Sequence, residues 1–167
     1  MKKKSSMVNN LALGRVGLLL FIFIYSGLVF SAPIILQIDF LGKTNLSIAA
    51  ELAADQESRA EGLMNRSVLP RCKGMWFDFG EPKIVNMWMR DTLLPLDIIF
   101  FNKHFRVLAV YEQAQPLSEL LITSPSDTQY VLEVNAGEVL RNSIAVGQEV
   151  LVKPWAQNAA TRRTQCR

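Results

Sequence analysis

The sequence predicts a mainly β (α+β) domain: a compact curved sheet or small barrel of about seven short strands with one or two short helices. Three observations lead there. Short apolar runs recur at strand length, separated by Gly, Pro, Asn and Ser signals. Strand and helix patterns do not alternate regularly, which disfavours a doubly wound parallel sheet. The chain of 167 residues, half hydrophobic and 20% charged, shows no internal repeat, and that length fits one domain with its own core.

Taken in order, Ile34 to Phe40 is β-branched early and loosely alternating, so it reads as a strand. Asn45 to Leu52 is a second strand. Asp55 is placed to cap a short helix over Gln56 to Leu63, with Gly62 near its end. Leu69-Pro70 marks a loop. Gly74 to Phe79 is a strand with Met75, Phe77 and Phe79 on one side. Gly80-Glu81-Pro82 reads as a turn, followed by a strand over Ile84 to Met89 that Leu94-Pro95 terminates. Leu96 to Phe101 and Phe105 to Glu112 form a hairpin around Asn102-Lys103-His104. Gln115 to Thr128, with two prolines and several hydroxyl residues, is loop. Tyr130 to Asn135 alternates cleanly as a strand. Ala136 to Asn142 is one or two helical turns, and Gly147 to Val152 is the last strand. Gly74 and Gly137 read as turn glycines.

The organisation expected is a leader over residues 1–32, a globular domain over 33–154 and a flexible polar tail over 155–167. In the leader, Lys2, Lys3, Lys4 and Arg15 precede the uncharged apolar run Val16 to Phe30, and small residues follow at Ser31 and Ala32. That is the pattern of an export signal peptide. Left uncleaved, the uncharged stretch 16–36 would serve as a membrane tether, because a span needs about 20 apolar residues. The body would be periplasmic or secreted in the first case, and held at the inner membrane outside the cytoplasm in the second.

The formal charge is +3, but the leader holds four of the 18 basic residues and none of the 15 acidic ones. The body therefore carries 14 basic and 15 acidic side chains, a net of −1, and nucleic acid is not an expected partner. The two cysteines, Cys72 and Cys166, would form a disulfide in an oxidising compartment, or Cys72 would be a loop thiol activated by Arg71 and Lys73. One histidine and two distant cysteines give no zinc spacing. No metal and no cofactor are expected.

Four motifs in series then come into view. Gly62-Leu63-Met64-Asn65-Arg66 precedes Gly74-Met75-Trp76-Phe77. Met87 to Thr92 runs on into Leu96-Asp97-Ile98-Ile99-Phe100, and Tyr130 to Gly137 closes the series. Over about residues 45–152 the chain resembles the domain-of-unknown-function family 192. Its members are small bacterial and archaeal proteins, often exported. The resemblance implies a compact β-rich fold with small helices and implies no activity, cofactor or substrate. Arg90-Asp91 stands where the family pattern has Lys-Asn, and Cys72 is no part of that pattern.

Read chemically, the motifs offer six candidate ligand-binding residues: Arg66, Trp88, Met89, Asp97, Glu133 and Asn135. Arg66 has the fork that recognises a carboxylate or phosphate, or it pairs structurally with Asp97 or Glu133. Trp88 between Met87 and Met89 suits a ligand wall, which Met64 and Met75 would join. Asp97, next to a buried strand, is either an acceptor that organises a turn or a site residue. Glu133 and Asn135 share a strand face with Val131. The reading that follows is a non-catalytic exported binding module with a partly apolar cleft, its ligand a small molecule, a glycan fragment or an envelope protein. Two alternatives accompany it: a hydrolase or transferase with Asp97 and Glu133 as acid and base, and a membrane-tethered assembly factor.

Overall fold

The computed structural model describes residues 32–42, 46–125 and 127–155. The leader up to Ser31 and the tail from Ala156, with Cys166, lie outside the described residues. Nine strands and two short helices follow one another as β1 (Ile35–Phe40), β2 (Ser47–Ala53), α1 (Gln56–Glu61), β3 (Lys73–Lys83), β4 (Asn86–Met87), β5 (Leu96–Phe101), β6 (Val107–Ala114), β7 (Ile122–Thr123), β8 (Thr128–Asn135), α2 (Glu138–Arg141) and β9 (Val150–Pro154). Seven strands form one curved sheet in the order β6-β5-β8-β3-β2-β1-β9, and β4 pairs with β7 beside it. The architecture is the mainly β, α+β one expected.

All ladders are antiparallel except β2–β3. Parallel neighbours need a crossover, and residues 54–72, including α1, supply it. The helix forms where its local signals lie. Asp55 accepts from the Ser58 amide at 2.8 Å, and Gly62 ends the helix at φ +53°. The sheet does not close. Its β6 and β9 sides meet at the single bridge Arg106–Glu149, reinforced by Val107 N–H to Gln148 O at 2.8 Å.

Strand alternation sends side chains to two faces, and both are covered. One face buries Ile38, Ile48, Trp76, Ile99, Phe101 and Leu132, with Trp76 stacked on Tyr130 at 5.3 Å. The other buries Met75, Phe77, Ile98, Phe100 and Val131 beneath Leu63, Leu69, Val85, Met87 and Met89. The crossover and the β4–β7 ribbon are therefore the roof of this second face.

Four local expectations are corrected. Gly80-Glu81-Pro82 is not a turn ending the strand; β3 runs on to Lys83 with an irregularity between Asp78 and Lys83, and Gly80 absorbs it at φ +78°. The Ile84 to Met89 strand shrinks to Asn86–Met87, and its partner β7 lies inside the expected Gln115 to Thr128 loop. Gly74 is not a turn residue. It sits mid-sheet, where a Cβ would lie 2.5 Å from the Glu133 carbonyl oxygen. Cys72 is no reactive thiol, because it is disulfide-bonded.

Candidate functional site

The register between β5 and β8 decides what the two candidate carboxylates can do together. Asp97 is level with Val134, and Ile98 with Glu133. Directly paired residues share a face, so Asp97 and Glu133 point to opposite faces of the sheet. The acid/base pairing is thereby corrected. Asp97 is fully buried and committed to the fold. One carboxylate oxygen accepts from the Gln113 amide at 2.9 Å and the other from the Val139 amide at 2.9 Å. It holds an irregular residue of β6 (Gln113 φ +55°) and the first turn of α2. Asp97 is the turn-organising acceptor.

Arg66 is also settled by geometry, with a partner other than the two expected. Its guanidinium makes two parallel bonds to Glu51, at 2.5 and 2.8 Å. The pairing holds the Glu51 carboxyl below its usual range, with the Arg66 hydrogen bonds as the main cause. Asn135 donates to the Leu69 carbonyl at 2.8 Å, pinning the crossover loop. Met89 is a core residue, 1% exposed.

Glu133 behaves differently. It lies on the roofed face, level with Met75 of β3 and Ile98 of β5. It is 4% exposed. Among the described residues no hydrogen bond or ion pair reaches its carboxyl, and burial alone pushes it up to about 8. A buried carboxyl without a partner is costly, which sets this one apart from Asp97.

The carboxyl lines a pocket of about 80 Å³, room for a few waters. Gly62, Leu63 and Met64 of the crossover form one wall, Asn86, Met87, Trp88 and Thr92 the other, and Phe77 and Phe79 of β3 the floor. Arg59, Ala60 and Glu61 of α1 stand at the edge. The walls are fixed to each other, because the Asn65 amide donates to the Asp91 carbonyl at 2.7 Å. The second wall is held from behind by Met89 N–H to Ser118 O at 2.9 Å and Leu117 N–H to Thr92 O at 3.1 Å. Trp88 is 41% exposed, and the Arg90 guanidinium lies 4.7 Å from its ring centre.

Of the six residues singled out by sequence, the structure brings Glu133 and Trp88 together in this pocket. It places Arg66, Met89, Asp97 and Asn135 outside its lining. Met64 joins the wall as expected, whereas Met75 is core. Phe77 and Thr92 were legible only as members of the motifs, and Asn86 carried no signal of its own.

The fold and pocket define a class: a small β-rich domain whose sheet is roofed on one face, with a buried acidic side chain, Glu133, beneath the roof. The chain belongs to the domain-of-unknown-function family 192, described as an uncharacterised ACR, whose model matches residues 39–152. Two solved structures are similar. A protein from Sinorhizobium meliloti 1021, provisionally described as a transcription regulator, is 38% identical with a TM-score of 0.67; the match covers 72% of this chain and 94% of that one. A protein of unknown function from Novosphingobium aromaticivorans DSM 12444 is 32% identical with a TM-score of 0.68, covering 73% and 94%. The comparison with curated proteins finds no match.

Proposed function

We propose that the protein is a non-catalytic binding module of the cell envelope that takes a small ligand on Glu133. The observation that carries this reading is the buried Glu133 carboxyl, unpartnered among the described residues and opening on a pocket walled by two of the family's motifs. A residue kept in such a state costs stability, and a ligand that bonds it would recover that cost. The pocket sets the buried Glu133 carboxyl apart from the exposed Glu61 at its edge and, among the described residues that line it, shows no nucleophile–base pair, which favours binding over turnover.

Export is supported by the basic and apolar leader and by the disulfide at Cys72, since such bonds persist in oxidising compartments. A nucleic-acid-binding form of the regulator role in the description of the Sinorhizobium relative is disfavoured here, because a body with net charge −1 has no cation surplus for phosphates.

A thermal-shift screen of the purified protein against metabolites and cell-wall fragments tests the reading. A ligand at 100 times its Kd stabilises by about 2.7 kcal/mol, roughly 5–10 °C for a domain of this size. Hits should be lost in Glu133→Gln and weakened in Trp88→Ala. Hits that survive both substitutions would place binding elsewhere.

A further inference from the structure

Granting a ligand on Glu133, the lining of the pocket narrows its chemistry. We infer that the ligand is a small alkylammonium, its N–H groups donating to the Glu133 carboxylate and its alkyl part lying among Phe77, Trp88 and the thioethers of Met64 and Met87. This rests on the binding reading above and goes one step past it.

Four features converge on a cation. The first is the acceptor itself. Glu133 is buried between Met75 and Ile98, with no cation on either flanking strand at its level. The second is the aromatic lining, since ring faces attract cations. The rings around this pocket already do so. Arg90 lies 4.7 Å from the centre of Trp88, and Arg59 and Lys83 lie 5.5 and 5.6 Å from that of Phe79. Third, an anion is disfavoured, because it would meet Glu133 inside and Glu61 at the edge. The one basic lining residue, Arg59, already donates to the Ala54 and Asp78 carbonyls. Fourth, about 80 Å³ admits an ammonium head with a short chain and nothing much larger.

Glu61 at the pocket edge adds to the attraction for a cation, and the charges outside the lining do not compete for it. The Glu51 carboxylate on β2 is closed by Arg66. Arg90 and Asp91, behind Trp88, are exposed and paired with each other at 4.0 Å. The chain's single histidine, His104, sits in the β5–β6 turn. Binding an ammonium requires the ionised carboxyl, so complex formation below pH 8 expels a proton from Glu133 to solvent.

Calorimetry on the full chain tests this with three isosteres: n-butylammonium, n-butanol and butyrate. Butylammonium should bind, and its affinity should rise about tenfold per pH unit between pH 6 and 7, following the fraction of ionised Glu133. About one proton should be released per complex over that range. Glu133→Gln should weaken binding at least tenfold, and Trp88→Ala by less, with both variants folded by circular dichroism. His104→Ala should leave binding unchanged. Carbon-13 NMR of the Glu133 carboxyl gives a check that needs no variant: saturating amine should pull its midpoint well below 8. Nα-acetyl-lysine methylamide asks whether the cation is a lysine side chain of a partner or a free amine; equal binding assigns the former source, weaker binding the latter. Butanol or butyrate binding as well as the amine, in a Glu133-dependent way, would overturn the ammonium and leave the binding module standing. An unmoved carboxyl midpoint, or no binding by any isostere, would overturn both.

Discussion

Glu133 is mostly a carboxylic acid at pH 7, and that protonation state links the pocket to stability. Its pKa rises from 4.5 to about 8 on folding because of burial. The fold therefore bears no ionisation cost below pH 4.5, an increasing one as pH climbs through 8, and a constant one above. From this group alone, stability should fall by up to roughly 5 kcal/mol between pH 4.5 and 9. Urea midpoints across that range should show the decline in the native protein and a much flatter line in Glu133→Gln, which should also be the more stable of the two at pH 9. Equal slopes would mean that the carboxyl is solvated. Gly74→Ala should cost about 2–4 kcal/mol, because its Cβ would press on the Glu133 carbonyl at 2.5 Å, a backbone atom with nowhere to move. At this scale the sequence was partly legible. Strand alternation placed Glu133 with Val131, but alternation defines two faces without saying which one is roofed or wet. Arg66 plainly needed a carboxylate, yet Glu51 lies on another element, and pairing across elements leaves no mark in local spacing.

The elements were read best where one short window of chain determines them. The Asp55 cap, the Gly62 stop and the β5–β6 hairpin all rest on contacts a few residues apart. The Asn102 side chain holds that hairpin's turn by accepting from the His104 and Arg106 amides. Elements without a period of their own were missed: β4 and β7 are two residues each and exist only through each other. Asp97 belongs to this scale because it joins three elements. Asp97→Asn keeps the shape but leaves one of the two amides, the part-buried Gln113 or the buried Val139, facing an NH₂ group. It should destabilise by about 2–4 kcal/mol and raise hydrogen exchange around α2, while ligand binding on the opposite face persists in the folded fraction. Arg66→Ala breaks only a half-exposed pair, and its cost should stay near or below about 1 kcal/mol. Chemical denaturation of the two variants side by side checks the ranking.

At the level of the whole molecule, the seven strands of the curved sheet followed from spacing, whereas their order and the separate β4–β7 ribbon did not. The parallel β2–β3 pair depends on the crossover packing back onto the sheet, a long-range event that no window contains. The disulfide at Cys72 acts at this scale too, by limiting the unfolded chain. Cys72→Ser should lower stability by about 2–5 kcal/mol. A reductant should lower the Tm of the native protein and leave that of the variant unchanged. The antiparallel pairing of β1 with β9 has a different consequence. Leu36 is level with Pro154, and the Trp155 amide donates to the Ile35 carbonyl at 3.1 Å. The domain's first and last strands thus begin and finish at one corner, and its backbone is a ring lacking a single join. A short glycine-serine splice across that corner, with new ends cut at Lys103, gives a circular permutant that should regain the same sheet.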